Sequence, residues 1–326
     1  MSTSDAVYAY SAVLMGSPIL LKLFDHNEAL ARDVFRLIKH QENLLTVNRT
    51  PSEVMNINLA AGQHPVQVNP RVFELIRCAK AVSLLPGSIF NFTIGPVVKC
   101  WKIGFQGNSV PPESELSACL TRCDPHDVII DESTHSVFLA KEGMEIDLGA
   151  IAKGYIADCV QDFLRQQGVT RGLINLGGNV QTLGEPADHQ GWAIGLKKPF
   201  AAADALIGVI TVVNKSVVTS GVYERYFQVN DQIYHHILDA KTGYPLNNEL
   251  LSVTIISDRS IDGDIYTTLL YGMGVEKGIA YLAEHADIEA IFVTRDQRVI
   301  CSSQHHFDFE LLDPHYQLSC FTDNNA

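Results

Sequence analysis

The chain predicts an α+β fold of mainly antiparallel sheets with helices inserted between the strands. Three observations predict it. Apolar segments pair across turn-forming residues at Met15-Gly16-Ser17-Pro18, Asn230-Asp231 and Asp296-Gln297, which is hairpin grammar. Segments of helical period stand singly between β segments, without the strict alternation of a doubly wound sheet. The chain has 326 residues, 46% hydrophobic and 19% charged, enough to bury a large core as one domain or as two intimate lobes.

In order, Tyr8 to Phe24 reads as two hairpin arms around Gly16-Ser17-Pro18. Asn27 to Gln41 has helical spacing through Leu30, Val34, Leu37 and Ile38. Ser52 is placed to cap a short helix through Asn58, and Pro70 opens another that runs to about Leu85. Gly87 to Pro96 combines glycine and aromatic character, as a pocket-lining loop or a packed turn does. Gly107 to Glu115 is a surface loop. Ser136 to Ala140 and Met144 to Leu148 read as two strands turned at Lys141-Glu142-Gly143. The second runs into a helix through Ile156, Val160 and Phe163 that stops at Gly168. Leu173 to Leu176 is a buried strand ending in Gly177-Gly178-Asn179. Trp192 to Leu196, Leu206 to Val213 and Ser216 to Thr219 continue as strands, and a hairpin tipped by Asn230-Asp231 follows. Ser252 to Ile256 is a strand, Asp262 to Tyr271 and Glu276 to Glu284 are helices, and Ala290 to Thr294 with Val299 to Ser302 closes a last hairpin.

The net charge of −13 offers no basic stripe to a phosphate backbone, so nucleic acid is excluded as a partner. An anionic substrate would need a metal or a few placed cations. The first twenty residues carry no Lys or Arg, and the apolar run Ala12 to Leu21 is broken at Gly16-Ser17-Pro18. The expectation is a protein with no signal peptide and no membrane anchor. Seven cysteines form an odd set without a CxxC pair, which suits thiols in a reducing compartment. The expected location is cytoplasmic.

The richest stretch is Glu145 to Asp158. It puts small residues, Gly149 and Ala150, where a strand meets a helix, so a ligand can approach backbone N–H groups. Asp147, Ala150 and Lys153 stand three apart and would bring a carboxylate, a main-chain carbonyl and an ammonium to one rim; a simple cap and a solvated lysine would look the same. Gly149 to Gly154 is not a Walker A loop, and Gly177-Gly178 does not make GxGxxG. In His235-His236, alternation lets only one imidazole face a given site, as a general base or a structural hydrogen-bonder. His305-His306 reads as surface. Asp264 and Thr268, at i and i+4 on a helix, share a face whose oxygens suit a hard cation such as Mg²⁺.

Together and in this order, five motifs resemble the FAD:protein FMN transferase (ApbE-type flavin transferase) family. They are Asp147-Leu148-Gly149-Ala150-Ile151-Ala152-Lys153-Gly154-Tyr155, Asn175-Leu176-Gly177-Gly178-Asn179, Thr219-Ser220-Gly221, His236-Ile237-Leu238-Asp239 followed by Thr242-Gly243, and Asp264 to Thr268. The resemblance implies an ApbE-like, T-fold-like architecture over nearly the whole chain. It implies an enzyme that splits FAD and attaches its FMN half through a phosphoester to a Ser or Thr of a target flavoprotein, releasing AMP. By matched position, Met15, Asn48, Ile89, Phe90, Asn91, Asp147, Lys153 and Leu238 would contact FAD. Mg²⁺ would sit on the Ala150 carbonyl, Asp264 and Thr268, and His236 would activate the acceptor hydroxyl. The family often carries an aromatic residue where Asn48 stands and an aspartate where Asn91 stands. Hydrolysis of FAD to FMN and AMP, and a flavin carrier without turnover, are the alternative readings of the same residues.

Overall fold

The computed structural model describes residues 6–186 and 190–321. In chain order the elements are β1 (Tyr8–Leu14), β2 (Ser17–Leu23), α1 (Glu28–Leu45), α2 (Glu53–Leu59), β3 (Val66–Gln67), α3 (Pro70–Ser83), α4 (Gly95–Trp101), α5 (Glu113–Leu120), β4 (Val128–Asp131), β5 (Ser136–Leu139) and α6 (Ala152–Gln166). Then come β6 (Gly172–Leu176), β7 (Asn179–Leu183), β8 (Trp192–Lys197), β9 (Leu206–Val212), β10 (Ser216–Gly221), β11 (Tyr226–Val229), β12 (Gln232–His235), β13 (Leu250–Ser257), α7 (Ser260–Leu282), β14 (Glu289–Thr294), β15 (Arg298–Cys301), β16 (Phe307–Leu311) and β17 (Gln317–Cys320). The chain divides into two compact units. The first is built from the described parts of residues 1–39, 153–221 and 248–326, the second from residues 40–152 and 222–247.

The first unit is organised by a nine-stranded sheet in the order β1-β2-β6-β7-β10-β13-β14-β15-β17. Every pairing in it is antiparallel except β15 with β17, which is parallel. β14 is covered on both faces, and all six of its residues are buried. α7 lies against β7, β10 and β13. A second sheet, β16-β9-β8, brings Trp192, Leu196, Ile210 and Phe307 into one core with Val217, Ile256 and Ile291 of the large sheet.

α7 is two helical segments joined at Gly274, whose φ of 77° and ψ of −177° break the helix. A Cβ there would stand 2.7 Å from Glu249 Oε1, and that same oxygen accepts the N–H of Val275 at 2.8 Å. The glycine is required by the backbone conformation, and the second segment receives its own side-chain cap. Gly154, in the first turn of α6, is required for a different reason. A Cβ on it would lie 2.3 Å from the Ser260 carbonyl oxygen and 2.7 Å from Ile261 Cα, so the starts of α6 and α7 touch backbone to backbone. Gly154→Ala is therefore expected to lower stability by about 1–3 kcal/mol or more through overpacking, read as a drop in Tm.

The second unit holds the small sheet β3-β5-β4, the hairpin β11-β12 and helices α2 to α5. Ser52 caps α2 through the Met55 N–H, and Asn69 caps α3 through the Arg71 N–H ahead of Pro70. The hairpin turns at Asn230 and Asp231, both at positive φ, as a two-residue connection demands. Its Phe227 and Tyr234, directly opposed, stack at 5.3 Å between centroids, and Trp101 of α4 lies 5.5 Å from Tyr234. Val97, Trp101, Ile103, Leu116 and Cys123 complete this core with Leu238.

Four expectations are corrected. Met144–Leu148 has the alternating burial of a strand, with Met144, Ile146 and Leu148 buried, but among the described residues it joins no ladder. Its backbone is taken instead by the Asn58 side chain, which pairs with Ile146 N–H and C=O at 2.8 and 3.0 Å, and by the Phe92 carbonyl, which accepts Asp147 N–H at 2.8 Å. α6 begins only at Ala152, so helical spacing does not govern Asp147 and Ala150. β12 ends at His235, so strand alternation does not orient His236. Two strands follow the last expected hairpin; β16 pairs with β9 about a hundred residues earlier, a partner that local pattern does not reveal. Among the described residues, no helix is long and apolar enough to cross a membrane.

Candidate functional site

In the first unit the structure gathers Met15, Lys153, Asp264 and Thr268 around the starts of α6 and α7. Met15 occupies the β1–β2 turn at φ 51°, two residues before Ser17. Lys153 Nζ donates to Ser17 Oγ at 3.4 Å, which ties the turn to the helix start. The next residue, Gly154, donates its N–H to Asp264 Oδ2 at 2.6 Å. Asp264 Oδ1 accepts from the Asn179 side-chain amide at 3.0 Å. Thr268, one turn further along α7, directs its hydroxyl to the Asp264 carbonyl at 3.4 Å, the i, i+4 placement read in the sequence.

Asp264 is 9% exposed. Burial pushes its carboxyl up to about 7, against the opposing pull of the Gly154 N–H, the Asn179 amide and the Lys153 charge. Two neutral donors and the Lys153 ammonium do not compensate the desolvation of this carboxylate. Such a group gains from a further positive charge nearby.

Asp158, also raised by burial, supports this corner from α6. Its two oxygens accept the N–H groups of Ser260 and Ile261 at 2.7 and 3.0 Å, and Arg259 lies alongside at 3.4 Å. α7 has no cap from its own sequence, so Asp158 supplies one from another helix. Sequence reasoning passed over Asp158. A lone acidic residue among the apolar positions of α6, next to Ala157, was the available signal.

The second unit carries Ile89, Phe90, Asn91, Asp147, Leu238 and His236. Phe90 is buried. Asn91 is spent on the fold: its amide donates to the Cys123 carbonyl at 2.8 Å while its oxygen accepts the Thr93 N–H and hydroxyl at 2.8 and 2.6 Å. The loop is joined to Asp147 by the bond between Asp147 N–H and the Phe92 carbonyl. Asp147 Oδ1 accepts the Gly149 N–H at 2.7 Å, a local turn and not a helix cap. Its carboxyl is raised, first by burial, with the Gly149 bond and the charges of Arg225 and Lys99 pulling the other way. Ala150 is exposed in the turn that follows. Asn48 lies exposed in the bend between α1 and α2, its N–H on Thr46 Oγ1.

The two histidines have different lives. His235 is 4% exposed; its Nδ1 accepts the Ile237 N–H and its Nε2 donates to the Leu246 carbonyl at 3.0 Å. His236 is half-buried, and both its backbone N–H and its Nδ1 lie 3.2 Å from the Arg225 carbonyl. A carbonyl can only accept, so Nδ1 carries the proton of the neutral ring and Nε2 is its acceptor nitrogen. Arg225 was not singled out from sequence, because a backbone carbonyl leaves no mark in residue type.

Among the described residues, no group of three or more His, Cys, Asp and Glu side chains is placed to hold a metal ion.

The model of the ApbE family matches residues 15–292. Over 316 residues the chain is 60% identical to an FAD:protein FMN transferase of Klebsiella pneumoniae (strain 342), covering 97% of this chain and 98% of that one. It is 36% identical over 288 residues to the FAD:protein FMN transferase of Treponema pallidum (strain Nichols), covering 84% and 80%. Among solved structures, the ApbE protein of Thermotoga maritima is similar with a TM-score of 0.79 at 28% identity, over 89% of this chain and 94% of that one. The flavinyl transferase ApbE of Pseudomonas stutzeri, in its apo form, gives 0.77 at 27% identity, over 95% and 96%. The chain belongs to the ApbE family of FAD:protein FMN transferases.

Proposed function

We propose that this chain, acting as one flavin transferase domain, moves FMN from FAD to a Ser or Thr hydroxyl of a target flavoprotein in a Mg²⁺-dependent reaction that releases AMP. The single observation that carries the chemistry is the contact of His236 Nδ1 with the Arg225 carbonyl at 3.2 Å. A serine or threonine hydroxyl is a poor nucleophile near neutrality and needs a base to take its proton. With Nδ1 committed to the Arg225 carbonyl, Nε2 takes the hydroxyl proton as the oxygen attacks the FMN-side phosphorus. The new P–O bond forms there, the bond to the AMP oxygen breaks, and AMP leaves.

Met15, Asn48, Ile89, Phe90, Asn91, Asp147, Lys153 and Leu238 are the proposed FAD contacts. Lys153 brings a positive charge to a pyrophosphate that a chain of net charge −13 would otherwise repel. Asn91 contributes through the loop it holds, since its side chain is already bonded at both ends. The residues fit a hard cation. Asp264 is a buried carboxylate short of positive charge, Thr268 adds a hydroxyl oxygen one turn away, and α6 starts at Ala152, after Ala150. The proposed Mg²⁺ ligands are the Ala150 carbonyl, Asp264 and Thr268; a bound Mg²⁺ neutralises charge on the pyrophosphate. All seven cysteines are free thiols, which supports a cytoplasmic enzyme and a target in the same compartment.

The test is incubation with FAD, Mg²⁺ and candidate flavoproteins, read by in-gel flavin fluorescence after denaturation. Fluorescence on the target band supports transfer. FMN and AMP appearing in solution with no labelled band would mean hydrolysis, and bound FAD with no AMP would mean a carrier. His235→Ala is the internal control. Losing a buried ring and its bond to the Leu246 carbonyl is expected to cost about 1–3 kcal/mol of stability, while the transfer rate per folded molecule stays near that of the unaltered protein.

A further inference from the structure

We infer that Asn179 and Ser260 are positioning residues that hold Asp264 in the orientation in which it takes a divalent cation. The inference rests on the reading of Asp264 as the charged metal ligand. Four buried side chains form a one-way chain of hydrogen bonds that ends on its carboxylate. Ser216 Oγ donates to Ser260 Oγ at 3.0 Å, Ser260 Oγ donates to Asn179 Oδ1 at 2.5 Å, and Asn179 Nδ2 donates to Asp264 Oδ1 at 3.0 Å. Ser216, Ser260 and Asn179 are 0, 0 and 3% exposed.

The direction of the chain is dictated by its end. In the ionised form that takes a cation, the carboxylate only accepts, so Asn179 turns its NH₂ toward Asp264 and its oxygen toward Ser260. Ser260 must then donate to that oxygen, and its own lone pair is satisfied by Ser216. No member can flip without leaving a buried polar group unmatched. Ser260 itself cannot drift, because its backbone N–H is held by Asp158 at 2.7 Å. On the other side, Gly154 N–H fixes Asp264 Oδ2 at 2.6 Å. An ionised carboxylate offers about four lone-pair sites. One on each oxygen is used by these donors, and the rest are presented in a fixed direction. Partners that orient a metal-binding group in this way typically govern 10–100-fold in metal affinity.

The experiment is calorimetric titration of Mg²⁺ into the full chain with FAD present, for the unaltered protein, Asn179→Ala, Ser260→Ala, the double variant and Asp264→Ala. Alongside it, the apparent KM for Mg²⁺ and kcat are measured with a flavoprotein acceptor. Asn179→Ala is expected to weaken Mg²⁺ binding about 10–100-fold, to raise the KM for Mg²⁺ more than it lowers kcat, and to leave FAD binding without metal near its original strength. Ser260→Ala should weaken Mg²⁺ in the same sense by a smaller factor. The double variant should be no worse than Asn179→Ala alone, because Ser260 acts through Asn179. If Asp264→Ala loses Mg²⁺ while Asn179→Ala binds it as the unaltered protein does, the positioning role is overturned and the metal reading stands. If Asp264→Ala binds Mg²⁺ unchanged, the metal reading falls and takes the positioning role with it. Should Asn179→Ala not fold, Ser260→Ala decides, and unaltered Mg²⁺ affinity in it overturns the inference.

Discussion

His236→Ala is expected to bind FAD and to transfer FMN about 10²–10⁴ times more slowly than the unaltered enzyme, the usual worth of a positioned general base. The variant should keep its fold, because His236 stands just past the end of β12 and only half-buried, outside the aromatic core of Trp101, Phe227 and Tyr234. The measurement is FAD affinity by fluorescence quenching beside the rate of target labelling. If labelling proceeds at the original rate, the Arg225 carbonyl has been orienting a bystander. A Gln in place of His236 sharpens the test. It can still donate to the Arg225 carbonyl, but no amide accepts a proton at neutral pH, so it should be as slow as the alanine.

Asp264→Ala is expected to remove most of the Mg²⁺ dependence and to cost at least about 10²-fold in transfer, since losing a mere orienting partner already costs 10–100-fold in metal affinity or activity. Truncation leaves the Gly154 N–H and the Asn179 amide facing a void, which complicates the reading. Asp264→Asn keeps the volume and removes the charge. Its NH₂ must face one of two donors, the Gly154 N–H or the Asn179 amide, so the asparagine variant is expected to unfold at a lower Tm than the parent and to lose the cation. Thr268→Val should fall between Asp264→Ala and the parent. Ala150→Ser should remain active, because only a main-chain oxygen is proposed there. Equal Mg²⁺ affinity in parent and Asp264→Ala would sink the proposed site.

Most of the frame was legible because its signals are local. Ser52 and Asn69 announce α2 and α3, Asn230-Asp231 announces a hairpin, and the i, i+4 pair Asp264 and Thr268 does share a helix face. The failures share a cause as well. Met144–Leu148 has the alternation of a strand, yet its hydrogen bonds go to the side chain of Asn58, 88 positions away from Ile146. The closeness of Gly154 to Ser260, the cap that Asp158 lends α7, and the carbonyl that orients His236 are all long-range backbone facts. Residue type at one position does not encode them. The candidate site residues were named by motif, and the groups that hold them in place were found only in the fold.

The break at Gly274 bears on how the far segment of α7 in this chain tolerates a change in length. In an unbroken helix, one inserted residue turns everything beyond it by about 100° around the axis. Here Gly274 absorbs the turn and Glu249 restarts the helix at Val275. A residue gained or lost between 275 and 282 changes the phase of that segment alone. Asp264 and Thr268, on the near side of the break, keep their angular setting against β10 and β13 whatever the far segment does.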